Sequence, residues 1–131
     1  MPDTPQVNVL RSPLGRARGL GAAHSGSHHW WVERVEAAAL VPLTIWFIFA
    51  LLRLIGASRQ AVIEWLSSPI SLVLMLLLIG TTFHHLSLGA QTVLDDYVHQ
   101  PAAKLWSVLA VKGACAVAAL LCIVAVLKIG L

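Results

Sequence analysis

Three long stretches of the sequence are almost free of charge, and its polar residues gather before and between them. The first runs from about residue 32 to 55. Its centre, residues 37 to 52, reads AAALVPLTIWFIFALL, and Arg53 at its end can extend its head group outward. The second runs from about 67 to 94 and contains no Asp, Glu, Lys or Arg. The third runs from about 101 to 127, interrupted by Lys112. At 1.5 Å per residue each is long enough to cross a hydrocarbon core about 30 Å thick. The pattern therefore predicts an all-α membrane protein with three transmembrane helices. Pro69 and Pro101 suit the first turns of the second and third helices, Pro42 marks a place for a kink in the first, and Trp106 suits an interfacial anchor.

Residues 1–29 differ in kind from residues 30–131. They carry Pro2, Pro5, Pro13, four glycines and three arginines with no sustained apolar period, and they read as an irregular arm ahead of a three-helix anchor. The basic part of this arm is followed by Gly, Ser and His, not by an apolar core and a small-residue cleavage site, so no signal peptide is expected. Its Arg-rich, acid-poor character also resembles a mitochondrial presequence.

Composition agrees with the pattern. Of 131 residues, 58% are hydrophobic and 11% charged, against about a quarter charged in a soluble domain. The net charge of +3 draws on Arg11, Arg16 and Arg18, which suit an anionic membrane leaflet or a soluble partner; no aromatic and basic motif for nucleic acid accompanies them. Arg11, Arg16, Arg18, Arg34 and Lys104 lie on the side of the amino terminus, against Arg53, Arg59 and Lys128 on the other. Basic residues favour the inside. The amino terminus is thus expected in the cytoplasm and the carboxyl terminus, after three crossings, in the periplasm. Cys115 and Cys122 are seven residues apart in one span, about 10.5 Å along a helix axis. That is too far for a disulfide, and packing is their expected role.

Ionisable groups at bilayer depth are costly and mark candidate sites. If Asp95 and Asp96 lie at the inner interface, His85 sits ten or eleven residues deeper, about 15 to 17 Å, near the midplane. Thr81, Thr82, Gly89, Thr92 and Asp96 share its helix face. Gly89, one turn away, removes a side chain that would block a flat ligand. Such an imidazole can ligate a metal or haem iron, carry protons, or hydrogen-bond a neighbouring helix. His84 has a stripe of its own in Gly80, Ser87, Gln91 and Asp95, and physics alone does not choose between the two histidines.

Two interfacial clusters complete the candidates. Asp95, Asp96, Tyr97, Val98 and His99 stand where lipid gives way to water; Tyr97 is either an anchor or a proton donor to a membrane-soluble carbonyl compound. Ahead of the first span, SGSHHWWVERVEAAAL gathers His28, His29, Trp30, Trp31, Glu33, Arg34 and Glu36. Arg34 can pair with a propionate or phosphate. His28 and His29 are adjacent, a poor spacing for zinc, and no Cys assists them.

Together these residues resemble the small hydrophobic membrane-anchor subunit of succinate dehydrogenase, respiratory complex II, and RSPLGRARGLG followed by HHWWVERVEAAALVPLTIWF is similar to alphaproteobacterial members. In the second span His85 opens an H-x-x-x-G pattern with Gly89, which continues through Gln91, Val93 and Leu94 and closes as Asp96-Tyr97-Val98-His99; His85 and Tyr97 are twelve apart, the family's spacing. Glu36 departs from it, standing where many members carry Thr or another small polar residue, as does His29, where some have Asp.

The resemblance implies half of a haem-containing bundle in the bacterial inner membrane, with the mitochondrial inner membrane as the alternative. It implies that His85 is one axial ligand of haem b, with the second from the cytochrome b anchor subunit. It further implies that Tyr97 and Asp96 line the ubiquinone site and that Arg34 and His28 meet haem propionates. The implied function is that of a non-dehydrogenating subunit of succinate:ubiquinone oxidoreductase, in the tricarboxylic acid cycle and aerobic electron transport. It would dock flavoprotein and iron-sulfur subunits, because this chain has neither a dinucleotide-binding glycine pattern nor a cysteine cluster. Two readings from other classes stand beside it: a non-redox membrane scaffold whose histidines bridge helices, and a proton or metal carrier using His84, His85 and Lys112.

Overall fold

The computed structural model describes Leu14 and residues 26–131. Within them the chain forms four helices: α1 over Gly26–Leu54, α2 over Arg59–Ser67, α3 over Pro69–Tyr97 and α4 over Pro101–Gly130. The three long helices are those of length and composition to cross a membrane. A helix satisfies every interior backbone N–H and C=O within its own segment, which is what lipid demands. The arm lies largely outside the described residues, Arg11, Arg16 and Arg18 included, but its last four residues, Gly26 to His29, already belong to α1.

Local chemistry sets the boundaries. Gly56, with φ of 77°, follows the end of α1 in a left-handed conformation that costs glycine little. The chain then turns into α2, a short helix that the charge-free pattern did not reveal. Ser58 caps it, its Oγ accepting from the N–H of Ala61 at 3.3 Å. Ser68 caps α3 in the same way through the N–H of Ser71 at 3.3 Å. Pro69 follows at the first helical position, where its missing N–H costs nothing. Pro101 opens α4 in the same manner. Pro42 lies within α1.

Packing makes α3 the central element. It runs against both α1 and α4, while α2 bears on α3 and α4. The rings of Trp46 in α1 and Trp65 in α2 stack at 5.9 Å between centroids, which ties the short helix to the first span. Ala50, Leu66, Ser71, Leu88 and Gly130 are the buried residues among those described, whereas large apolar side chains such as Phe49, Leu77, Leu121 and Val124 are exposed along the spans. Such an inverted surface suits lipid and neighbouring transmembrane helices, not water.

The far end of the bundle closes on Gly130. A Cβ built there meets the Leu72 side chain at 2.9 Å and the Leu66 carbonyl at 3.3 Å, so α4 approaches α2 and α3 where only a hydrogen fits. Gly130→Val is therefore expected to lower stability in detergent by about 1–3 kcal/mol, the usual cost of overpacking. Thermal unfolding of the purified protein checks this, with Gly113→Ala, where nothing lies within 4 Å of an added Cβ, as the neutral control.

Candidate functional site

The two histidines of the second span meet α1 at one place. Glu36 stands ten residues into α1, about 15 Å along its axis from Gly26. Its Oε1 hydrogen-bonds Nδ1 of His84. Its Oε2 lies 3.8 Å from Nδ1 of His85. Both Oε2 of Glu36 and Nδ1 of His85 are buried without a hydrogen-bond partner. One carboxylate thus stands between two consecutive imidazoles, whose side chains leave a helix about 100° apart.

The two histidines differ in surroundings. The side chain of His84 is 59% exposed and that of His85 32%, while Glu36 is 16% exposed. Because Nδ1 of His85 is buried, the exposed third of its side chain lies elsewhere on the ring. One turn along α3, Gly89 presents bare backbone, and a Cβ there would meet nothing within 4 Å. A planar ligand reaching His85 from outside the bundle therefore finds an open wall. Leu88, on the inner side, is buried.

His84 also borders two clefts. One, of ≈ 540 Å³, lies between the start of α1 and the end of α3 and is lined by His28, His29, Val32, His84, Leu88, Gln91 and Asp95. Nε2 of His29 and Oε1 of Gln91 are buried there without partners. The other, of ≈ 190 Å³, lies between α3 and α4, where Lys112 meets the stripe of Gly80, His84 and Ser87. Lys112, which the sequence left without a role, is thus a neighbour of His84 across the α3–α4 groove.

The ends of the helices assemble one rim. The start of α1, the end of α3 and the start of α4 lie together, since His28 and His29 share a cleft with Asp95, and Lys104 pairs with Asp95 at 2.9 Å. Lys104 also donates to the Asp95 carbonyl at 3.2 Å, bracing the turn between α3 and α4. Asp96 and Tyr97 stand at this rim, both exposed, with Tyr97 79% exposed. Arg34 lies over the ring of Trp30, 5.4 Å from its centroid, and Trp30 packs edge-on against Trp31. His28 thus joins His84 and Asp95 in the cleft, whereas Arg34, Asp96 and Tyr97 lie on the outer surface.

In the sequence Glu36 stood as one of the charges at the entry to the first span and as a departure from a pattern, not as a partner of the second span. The usable signal was a carboxylate well inside an apolar helix, which must find partners within the protein. Its partners, 48 and 49 positions away, become neighbours only through the packing of α1 on α3. Among the described residues no group of three or more His, Cys, Asp and Glu is disposed to hold a metal ion.

Residues 8–124 match the family model for the succinate dehydrogenase/fumarate reductase transmembrane subunit. The chain is 34% identical over 89 residues to the succinate dehydrogenase hydrophobic membrane anchor subunit of Rickettsia bellii, covering 68% of this chain and 71% of that one. It is 33% identical over 86 residues to the protein of the same description from Paracoccus denitrificans, covering 66% and 67%. The succinate dehydrogenase membrane anchor subunit of Reclinomonas americana is 23% identical over 91 residues, covering 67% and 76%. No solved structure matches the chain.

Proposed function

We propose a specific role for this chain, which belongs to the succinate dehydrogenase/fumarate reductase transmembrane subunit family and is of the alphaproteobacterial anchor type: it supplies one axial ligand of haem b and one wall of the quinone-reduction site. As a multi-pass membrane anchor subunit of succinate dehydrogenase it is part of an oxidoreductase without a dehydrogenating site of its own. The observation that carries the haem reading is His85, its Nδ1 facing a buried carboxylate and its side chain still a third exposed one turn from the bare backbone of Gly89.

The division of labour between the histidines follows from their contacts. His84 is engaged by Glu36 and acts as a bridge between helices. His85 keeps Nε2 for iron, and a helix of the cytochrome b anchor subunit offers the second ligand. The haem supplies a one-electron carrier within the membrane. Arg34 and His28, above His85 on the rim side, supply positive charge or N–H donors for propionates. The residues present fit the group.

Tyr97 and Asp96 serve the quinone. Both are exposed at the end of α3, where a headgroup can be reached from the membrane and protons from water. The Tyr97 hydroxyl donates to a ubiquinone carbonyl oxygen, and Asp96 beside it orients that hydroxyl and accepts protons from water. Electrons come from succinate through the flavoprotein and iron-sulfur subunits, docked on the rim and the basic arm. The balance of Lys and Arg, five against three, favours this rim and the amino terminus in the cytoplasm and the carboxyl terminus in the periplasm, with the bacterial inner membrane between. The subunit so placed links the tricarboxylic acid cycle to aerobic electron transport.

Three variants test the reading in the purified assembly. A reduced-minus-oxidised spectrum is expected to lose its haem band in His85→Ala and keep it in His84→Ala; the reverse result contradicts the assignment. Gly89→Leu is expected to retain three folded spans and lose the haem band, because the new side chain fills the open wall. In Tyr97→Phe, quinone reduction is expected to fall about 10²-fold, at the low end of a lost proton donor's effect, while succinate oxidation with an artificial acceptor persists. Equal loss of both activities removes the quinone role.

A further inference from the structure

We infer that Glu36 is a positioning residue for the iron ligand, holding the His85 imidazole in one tautomer and tuning the haem through it. The inference rests on the haem reading above and goes beyond it, since it gives a role to a carboxylate that neither binds iron nor lies at the quinone site.

The geometry is specific. Oε1 of Glu36 is taken by Nδ1 of His84, and Oε2 is left buried and unpartnered, facing the equally unpartnered Nδ1 of His85 at 3.8 Å. Closing that gap to hydrogen-bond length takes about 0.9 Å, within the reach of a side-chain rotation. Two orphaned polar atoms facing each other in an apolar bundle are strongly driven to pair, because each is otherwise desolvated without return. A carboxylate has acceptor sites on both oxygens, so it serves the two N–H groups at once. With the proton fixed on Nδ1, the lone pair of His85 lies on Nε2. A carboxylate behind a ligating imidazole also raises ligand basicity. More electron density on the imidazole favours ferric over ferrous iron, and the haem is harder to reduce.

His84 keeps this from being a simple pair. By occupying Oε1 it fixes the carboxylate in the plane that presents Oε2 to His85, and the burial of Glu36 shields the charge from water. A threonine at position 36 offers a hydroxyl but neither the charge nor two acceptor oxygens.

The test is potentiometry and low-temperature electron paramagnetic resonance on the intact purified complex, with haem counted against flavin. Glu36→Gln retains the shape but not the charge, and Glu36→Thr keeps a hydroxyl on a smaller side chain, so that two different replacements protect the test against a failure of one to assemble. Both are expected to keep haem at the wild-type ratio, to move its midpoint potential positive, and to shift the ferric low-spin signal; Glu36→Asp, which restores the charge, recovers part of the shift. An unchanged potential and signal in Glu36→Gln and Glu36→Thr overturn the inference. His85→Ala, run in parallel, separates the two levels: retained haem there overturns the haem assignment itself, while lost haem with silent Glu36 variants overturns only the role of Glu36.

Discussion

Hydrocarbon offers no hydrogen bonds, and a polar group carried into it must find its partner within the protein. For the backbone of this chain the consequence is three long helices, each satisfied internally. For side chains the same constraint acts at one point, where Glu36 of α1 meets His84 and His85 of α3. A lone carboxylate at that depth is costly, and so is a lone imidazole. Together they satisfy most of one another's needs and fix how α1 sits on α3. What they leave over is the far edge of each ring, the less exposed of the two belonging to His85, which lies one turn from Gly89.

The remainder of the bundle supports that placement. α3 lies between α1 and α4, so the side chains on either flank of His84 are held by both neighbours. Serine caps and N-terminal prolines set where α2 and α3 begin, and the stacked Trp46 and Trp65 with the Gly130 contact close the opposite end. The exposed apolar flanks leave room for lipid and for a second set of helices. The proposed sharing of a haem with a partner calls for such an incomplete surface: one ligand here, one ligand there, and a gap with no side chain at Gly89. The proposed quinone site at the rim would lie in the same subunit, with twelve residues of α3, about 18 Å, between His85 and Tyr97.

The spans were legible in the sequence because apolar length is a direct consequence of bilayer thickness, and Pro69 and Pro101 mark helix starts through their own covalent geometry. The early start of α1 was hidden by the Gly, Ser and His composition of residues 26 to 29, which carries no apolar period. α2 was hidden because Arg59, Gln60 and Glu64 make it polar and its nine residues are too few to set a pattern. His85 was singled out by depth and by Gly89, but its rank against His84 came from a family pattern, since both imidazoles have small polar stripes. Glu36 meets both, His84 by a hydrogen bond and His85 at 3.8 Å, and these contacts are invisible along the chain, because they join residues 48 and 49 positions apart. Lys112 was hidden for the same reason: its neighbours in the groove belong to another helix.

The central claim is that Nε2 of His85 binds iron in a haem shared with a second subunit. A density map of the intact complex in lipid tests it most directly. The expected result is a porphyrin lying against Gly89, its iron joined to that nitrogen, with Glu36 behind the ring. An imidazole edge that meets only acyl chains or a neighbouring carbonyl, in a complex that retains all its subunits, contradicts it.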